Sequence, residues 1–164
     1  MSDKSEAIGQ VRGTFKELLL VVRDIPDERF SEIWFGEWST KDILAHLASY
    51  EEVLVDILST FVGRHSTPYL DKFTGLGGQF NDTEVERRRG RTVKEILDEF
   101  NDAHAQAMSL TAQIRPEQFR QVGTLPWYGM DYALDDVIVY MYYGHKREHS
   151  AQIAAFRDHL DRLL

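Results

Sequence analysis

Residues 63–91 read "GRHSTPYLDKFTGLGGQFNDTEVERRRGR", and the role of this stretch decides the fold. On either side lie long segments whose apolar residues recur at three-and-four spacing, the mark of amphipathic helices. A hairpin between two such helices needs only a few residues, so a link of this length has another purpose. At about 3.3 Å per extended residue it can cross a whole helical bundle, which would leave the helices before and after it parallel. Within it, Asn81 or Asp82 can cap a short helix over Thr83 to Arg89. The glycines of "TGLGGQF" are followed by no phosphate-loop lysine and read as a mobile linker.

Working outward from the link, four main helices are expected. Helix 1 runs from about Lys4 to Asp24 on Val11, Phe15, Leu18, Leu19 and Val22, closed by Pro26. A short turn is expected around "PDERFSEIW". Helix 2 starts after "WST", where Ser39 or Thr40 can cap it and Asp42 suits the positive end of the dipole. Its inner stripe is Ile43, His46, Leu47, Tyr50, Leu54, Ile57 and Phe61, and Gly63 ends it. Helix 3 spans about Thr92 to Ile114 on Ile96, Leu97, Phe100, Ala107, Met108 and Thr111, stopped by Pro116. Helix 4 spans about Tyr132 to Leu163 on Ile138, Met141, His145, His149, Ile153, Phe156 and Leu160. No segment alternates apolar and polar residues for long. The expectation is all-α: a single domain over 1–164, a four-helix bundle of up-down-down-up order with its crossover between helices 2 and 3.

Composition narrows the chemistry. A chain of 164 residues is one ordinary domain by length. It has no cysteine, which excludes disulfides, thiolate metal sites and cysteine nucleophiles of its own. A formal charge of -8 and a pI near 5.2 oppose phosphate backbones and anionic lipids, so neither nucleic acid nor membrane is the expected partner. The opening "MSDKSEAIGQVRGTF" has no apolar signal core, and no segment stays apolar for about 18 residues. A cytoplasmic location is expected.

The histidines carry the functional signal. His145 and His149, four apart, lie side by side on one helix face with Cβ atoms about 5–6 Å apart, so both rings can reach one ion at about 2.0–2.1 Å. Such a pair also arises by chance on solvated helices, but this one continues an apolar stripe, where an unsatisfied ring is costly. The third ligand is expected from His46 on the inner stripe of helix 2. In a strictly alternating bundle the depths of His46 and the pair disagree by about 10–15 Å; a crossover makes helix 4 antiparallel to helix 2 and brings the levels together. His104 is the rival third ligand, with a core-edge histidine bonded to a carbonyl as its plainer reading. His65 and His159 read as solvated.

Three quoted stretches, "WSTKDILAHLASYEE", "FNDTEVERRRGRTVKEILDEF" and "HKREHSAQI", resemble the DinB/YfiT-like superfamily of metalloenzymes, in order and over nearly the whole chain. The middle one is most similar to the ClbS/DfsB-type branch. The resemblance implies a four-helix bundle of crossover topology holding a divalent metal, commonly nickel or zinc, on the positions matching His46, His145 and His149. It also implies either thiol-dependent transferase or isomerase chemistry with a low-molecular-weight thiol, or protection against a reactive toxin. ClbS-type members often lack the full histidine set that this chain retains.

Other residues stay open between two readings. Tyr50, one turn beyond His46, lines a pocket or is a satisfied core tyrosine. Arg87, Arg88, Arg89 and Arg91 form a solvated helix end, or Arg87 and Arg88 capture carboxylates of an anionic thiol. Glu148 is solvated or supports the metal ligands from behind. Trp38 and Trp127 anchor the bundle or rim a cavity. A small-molecule substrate and a homodimer complete the expectation.

Overall fold

The computed structural model describes residues 4–164; Met1, Ser2 and Asp3 of the quoted N-terminal stretch lie outside the described residues. The described residues are all-α apart from one small hairpin. Its elements are α1 (Lys4–Arg23), β1 (Ile33–Phe35), β2 (Trp38–Ser39), α2 (Thr40–Phe61), α3 (Pro68–Leu76), α4 (Phe80–Arg88), α5 (Val93–Gln113), α6 (Pro116–Phe119), α7 (Leu134–Val137) and α8 (His145–Asp161). Seven residues of π-helix, Ile138–Gly144, join α7 to α8 without a break in helical backbone. Among the described residues no helix is long and apolar enough to cross a membrane. The chain divides into two compact units, one running up to Thr40 and resuming with Arg115–Leu164, the other Lys41–Ile114.

In the first unit α1 packs along the π segment and α8. The two helices run in the same direction: Gln10 to Glu17 lie beside Tyr143 and Arg147, and Asp24 at the end of α1 is 3.7 Å from Arg157, near the end of α8. A strictly alternating four-helix bundle would set its first and last helices antiparallel, which this pair is not. Val11, Leu18 and Val22 of α1 and Ile138, Tyr142, Ile153 and Phe156 of the last helix are buried, each large apolar side chain contributing about 1.5–3 kcal/mol. The hairpin replaces part of the plain link expected after Pro26. It is too short for a period-two signal, and it turns at Gly36, whose φ of +69° suits glycine. It lays Trp34 and Phe35 on Phe156, with ring centroids 5.2 and 5.7 Å away. The expected turn is a single 3-10 turn at Asp27–Arg29.

The second unit holds α2, buried from Asp42 through Ser49 without interruption. Gly63 (φ +80°) closes the helix while the Arg64 amide reaches back to the Ser59 carbonyl at 3.0 Å. The long link is more ordered than expected. Its first half is α3, started by Pro68 and capped from a distance: the Tyr69 and Leu70 amides donate to Asp56 Oδ2 of α2 at 2.6 and 3.0 Å. The glycines are not a mobile linker but a 3-10 turn, Gly77–Gln79, with Gly77 at φ +53°. The second helix begins at Phe80, so Asn81 and Asp82 lie inside it rather than capping it. Phe80 is fully buried, edge-on to Phe73 at 5.3 Å and to Tyr50 at 6.0 Å, and this packing pulls the start of the helix forward.

A capping box opens α5: the Glu95 amide donates to Thr92 Oγ1 and the Thr92 amide to the Glu95 carboxylate. Its buried face is Ile96, Phe100, Ala103, His104, Ala107, Leu110 and Thr111; the expected Leu97 and Met108 are only half-buried. Extended backbone at Ile114, two residues before Pro116, ends it.

The arginine run is not a solvated helix end. Arg88 is fully buried, its Nη1 on Glu84 at 2.6 Å and its Nε and Nη2 on Glu99 at 2.9 and 2.6 Å. Arg87 bonds Glu84 and the Tyr69 hydroxyl, Arg91 bonds Glu99, and Arg89 pairs with Glu86. Lys41 Nζ donates to the Arg89 carbonyl. These bonds tie α4 to α2, α3 and α5.

Candidate metal centre

The centre is built on α8, where the π segment gives way to regular helix. His145 and His149, four residues apart, turn their Nε2 atoms toward each other at 2.9 Å, with ring centroids 4.6 Å apart. The other nitrogen of each ring is engaged by the chain. His149 Nδ1 lies 2.8 Å from Gln152 Oε1, and the Met141 carbonyl accepts from the His145 ring. With Nδ1–H donating in both cases, both Nε2 atoms present lone pairs to the same small volume. Two such lone pairs repel unless a cation stands near both. Nitrogens about 2.05 Å from one ion and at right angles are about 2.9 Å apart, the separation observed.

Both rings are neutral at physiological pH. Burial, the neighbouring His149 and the Lys146 charge push His145 down to about 3, and burial lowers His149 as well. Lys146 is itself buried, with its ammonium 5.3 Å from the centre of the Tyr142 ring.

His46 is 2% exposed on α2, and its carbonyl accepts from Ser49 Oγ at 2.6 Å. The Tyr50 ring meets it edge-on at 4.7 Å. Tyr50 is in turn set by Phe73 at 5.7 Å and by a side-chain hydrogen bond with Asn81; burial raises its hydroxyl above the usual range and the Asn81 bond offsets part of that. One ligand atom from each of His46, His145 and His149 lies within 4.8 Å of the other two. Imidazole nitrogen is a donor that divalent nickel or zinc takes readily, and burial holds the two rings on α8 neutral, so the donor set is chemically suited to such an ion.

The remaining singled-out residues fall elsewhere. His104 is not in the group; its Nδ1 lies 3.8 Å from the buried Glu51 carboxylate. Glu148 and His65 are exposed, and His159 is half-buried against Trp34. Trp38 is half-buried in β2, and Trp127 packs on Tyr128 at 5.7 Å. Sequence reasoning missed Gln152, though its place three residues after His149 was a readable signal. It also missed Asn81 as the partner of Tyr50, which only packing reveals.

The comparisons agree with this fold. The chain belongs to the DinB superfamily, whose model matches residues 10–153. A crystal structure of a Streptococcus pneumoniae protein is similar in fold at 12% identity and a TM-score of 0.80, covering 96% of this chain and 92% of that one. An uncharacterised protein from Escherichia coli UTI89 is similar at 13% identity and a TM-score of 0.78, covering 98% and 96%. No curated protein matches the sequence.

Proposed function

We propose that the protein holds a divalent metal, nickel or zinc, on His46, His145 and His149, and is an enzyme joining a small thiol, or water, to an electrophilic small molecule. The observation that carries this reading is the three-histidine group, whose nitrogens approach within 4.8 Å while two of the rings are held neutral. When bound, such an ion supplies a Lewis-acidic centre with open positions, lowering the pKa of a bound thiol or water. The chain's own part is to orient the donors. Gln152 and the Met141 carbonyl fix the tautomers of the pair, and Tyr50, steadied by Asn81, walls His46.

Lacking cysteine, the protein must take any thiol from outside. For a carboxylate-bearing thiol, Arg87 is the better-placed clamp: its side chain is 40% exposed, whereas Arg88 is fully enclosed by Glu84 and Glu99. The acidic net charge favours a small-molecule substrate over nucleic acid.

Elemental analysis of untagged protein tests the site. The reading requires about one divalent ion per chain and loss of most affinity in His145→Ala and His149→Ala; unchanged metal content in both variants rejects it. Adduct formation across thiols and electrophiles, with the metal removed and restored, tests the chemistry. The second reading is a noncatalytic bundle that sequesters a reactive small molecule, favoured by the likeness of residues 80–100 to the toxin-protecting branch. It predicts no turnover but protection against unfolding by the bound molecule.

A further inference from the structure

A pocket of about 350 Å³ lies between α1 and the junction of the π segment with α8, lined by Gln10, Gly13, Thr14, Glu17, Tyr143 and Arg147. It is separate from the histidine pair: Arg147 sits two residues from both His145 and His149, about 200° around the helix. Its size is that of a small-ligand site.

Three features of its lining are left unexplained by packing. Arg147 is held in place, with Nη1 on the Tyr143 hydroxyl at 3.1 Å and its guanidinium 5.4 Å from the centre of that ring, yet no carboxylate pairs with it among the described residues. Glu17 lines the same pocket and makes no ion pair there either; it and Arg147 are both exposed, so opposite charges stand apart at the solvent-facing rim of one open groove. Gln10 Oε1 is buried with no hydrogen-bond partner, and its amide nitrogen has only a 3.5 Å bond to Glu6, so the amide can turn toward a ligand at little cost.

The backbone agrees. Gly13 lies in the middle of a 20-residue helix, where glycine costs about 0.5–1 kcal/mol relative to alanine. A Cβ there would meet nothing within 4 Å, so packing does not demand glycine; its absent side chain leaves the pocket open. The opposite wall comes from the π segment, a conformation that is rare and concentrated at functional sites, and it places Tyr143 at the pocket while Tyr142 is buried in the core.

We propose that this pocket binds a small zwitterion, its carboxylate on Arg147 and the Tyr143 hydroxyl and its ammonium on Glu17 and the Gln10 amide oxygen. An arginine fork suits a carboxylate, and two opposite charges set across a gap select a ligand carrying both. This inference is independent of the metal reading.

The test is an amide NMR titration of the full-length protein with ω-amino acids from glycine to 6-aminohexanoate, with hexanoate and hexylamine as singly charged controls. One chain length should shift the Gly13, Tyr143 and Arg147 amides and bind at least tenfold tighter than either control. Arg147→Gln and Glu17→Gln should each weaken it at least tenfold. Gly13→Met, which fills the pocket and improves helix propensity, should abolish binding with the helical circular dichroism and the metal content unchanged. Absence of shifts with every amino acid, equal binding of the controls, or undiminished binding to Gly13→Met would overturn the proposal.

Discussion

Arg88 offers the sharpest test of how the link between α2 and α5 is held. Replacing it with methionine keeps most of the apolar stem and removes a guanidinium with no exposed surface, together with its bonds to Glu84 at 2.6 Å and to Glu99 at 2.6 and 2.9 Å. Breaking a buried ion pair by removing one partner costs about 3–5 kcal/mol, because the other charge stays buried. Here Glu84 keeps Arg87 at 3.0 Å and Glu99 keeps Arg91 at 2.8 Å, which sets the expectation at the lower end, about 3 kcal/mol. Urea unfolding followed by far-ultraviolet circular dichroism should show a midpoint lower by about 1–1.5 M at pH 7, for a slope of about 2–3 kcal/mol per molar.

The loss should depend on pH in a defined direction. Burial pushes the Glu84 carboxyl up, but the hydrogen bonds and charges of Arg88 and Arg87 outweigh this and hold it below the ordinary carboxylate range. A carboxyl depressed in the folded state adds stability that is complete above its unfolded pKa, about 4.3, and vanishes as pH falls through the folded value. Wild type and Arg88→Met should therefore converge on acidification below about pH 4. Restoring neutrality with Glu84→Gln and Glu99→Gln in the Arg88→Met background should recover most of the loss. A midpoint difference under about 0.3 M at pH 7, or one that persists undiminished in acid, would refute the reasoning.

Other outcomes follow from the same geometry. Gln152→Ala should weaken metal binding about 10–100-fold by releasing the His149 ring, less than His149→Ala itself, as read by competition with a chromophoric chelator. The metal-free protein should lose stability as pH drops below about 6.5 toward 3: His145 and His149 are depressed in the folded state, so protons favour the unfolded chain, and a flat thermal midpoint across that window would contradict their burial. Asp56→Ala should cost about 0.5–2 kcal/mol and raise hydrogen exchange selectively at Tyr69 and Leu70, the amides it caps. Gly129→Ala should destabilise by about 1–3 kcal/mol, since φ is +145° there and the new Cβ would sit 2.8 Å from the Tyr132 ring; an unchanged melting temperature would count against the observed loop.

Long amphipathic elements were legible because their signal is local and repeated. α1, α2 and α5 carry several turns of apolar residues at helical spacing, and their ends bear nearby cues such as Gly63 and Pro116. The histidine pair was legible for the same reason, since i and i+4 share a helix face whatever the tertiary context. What failed depended on partners distant in sequence. The start of α3 relies on Asp56 some thirteen residues earlier, and the start of α4 on a Phe80 buried against Phe73 and Tyr50. The π segment has no periodic signature of its own, and it shifts the fully buried line to Tyr142 and Lys146, beside the expected Met141 and His145.

The sequence by itself determined the helical class, the ends of the long helices, the absence of thiolate chemistry and the trio of histidines worth watching. Tertiary structure alone decided that Arg88 is buried between two carboxylates rather than solvated, that His104 stands with Glu51 outside the trio, and that the glycine-bearing link is two ordered helices. The physical reason is one of range. Periodicity and capping act within a turn or two of helix, whereas the solvation of a charge and the approach of imidazoles are set by whatever the chain folds against them.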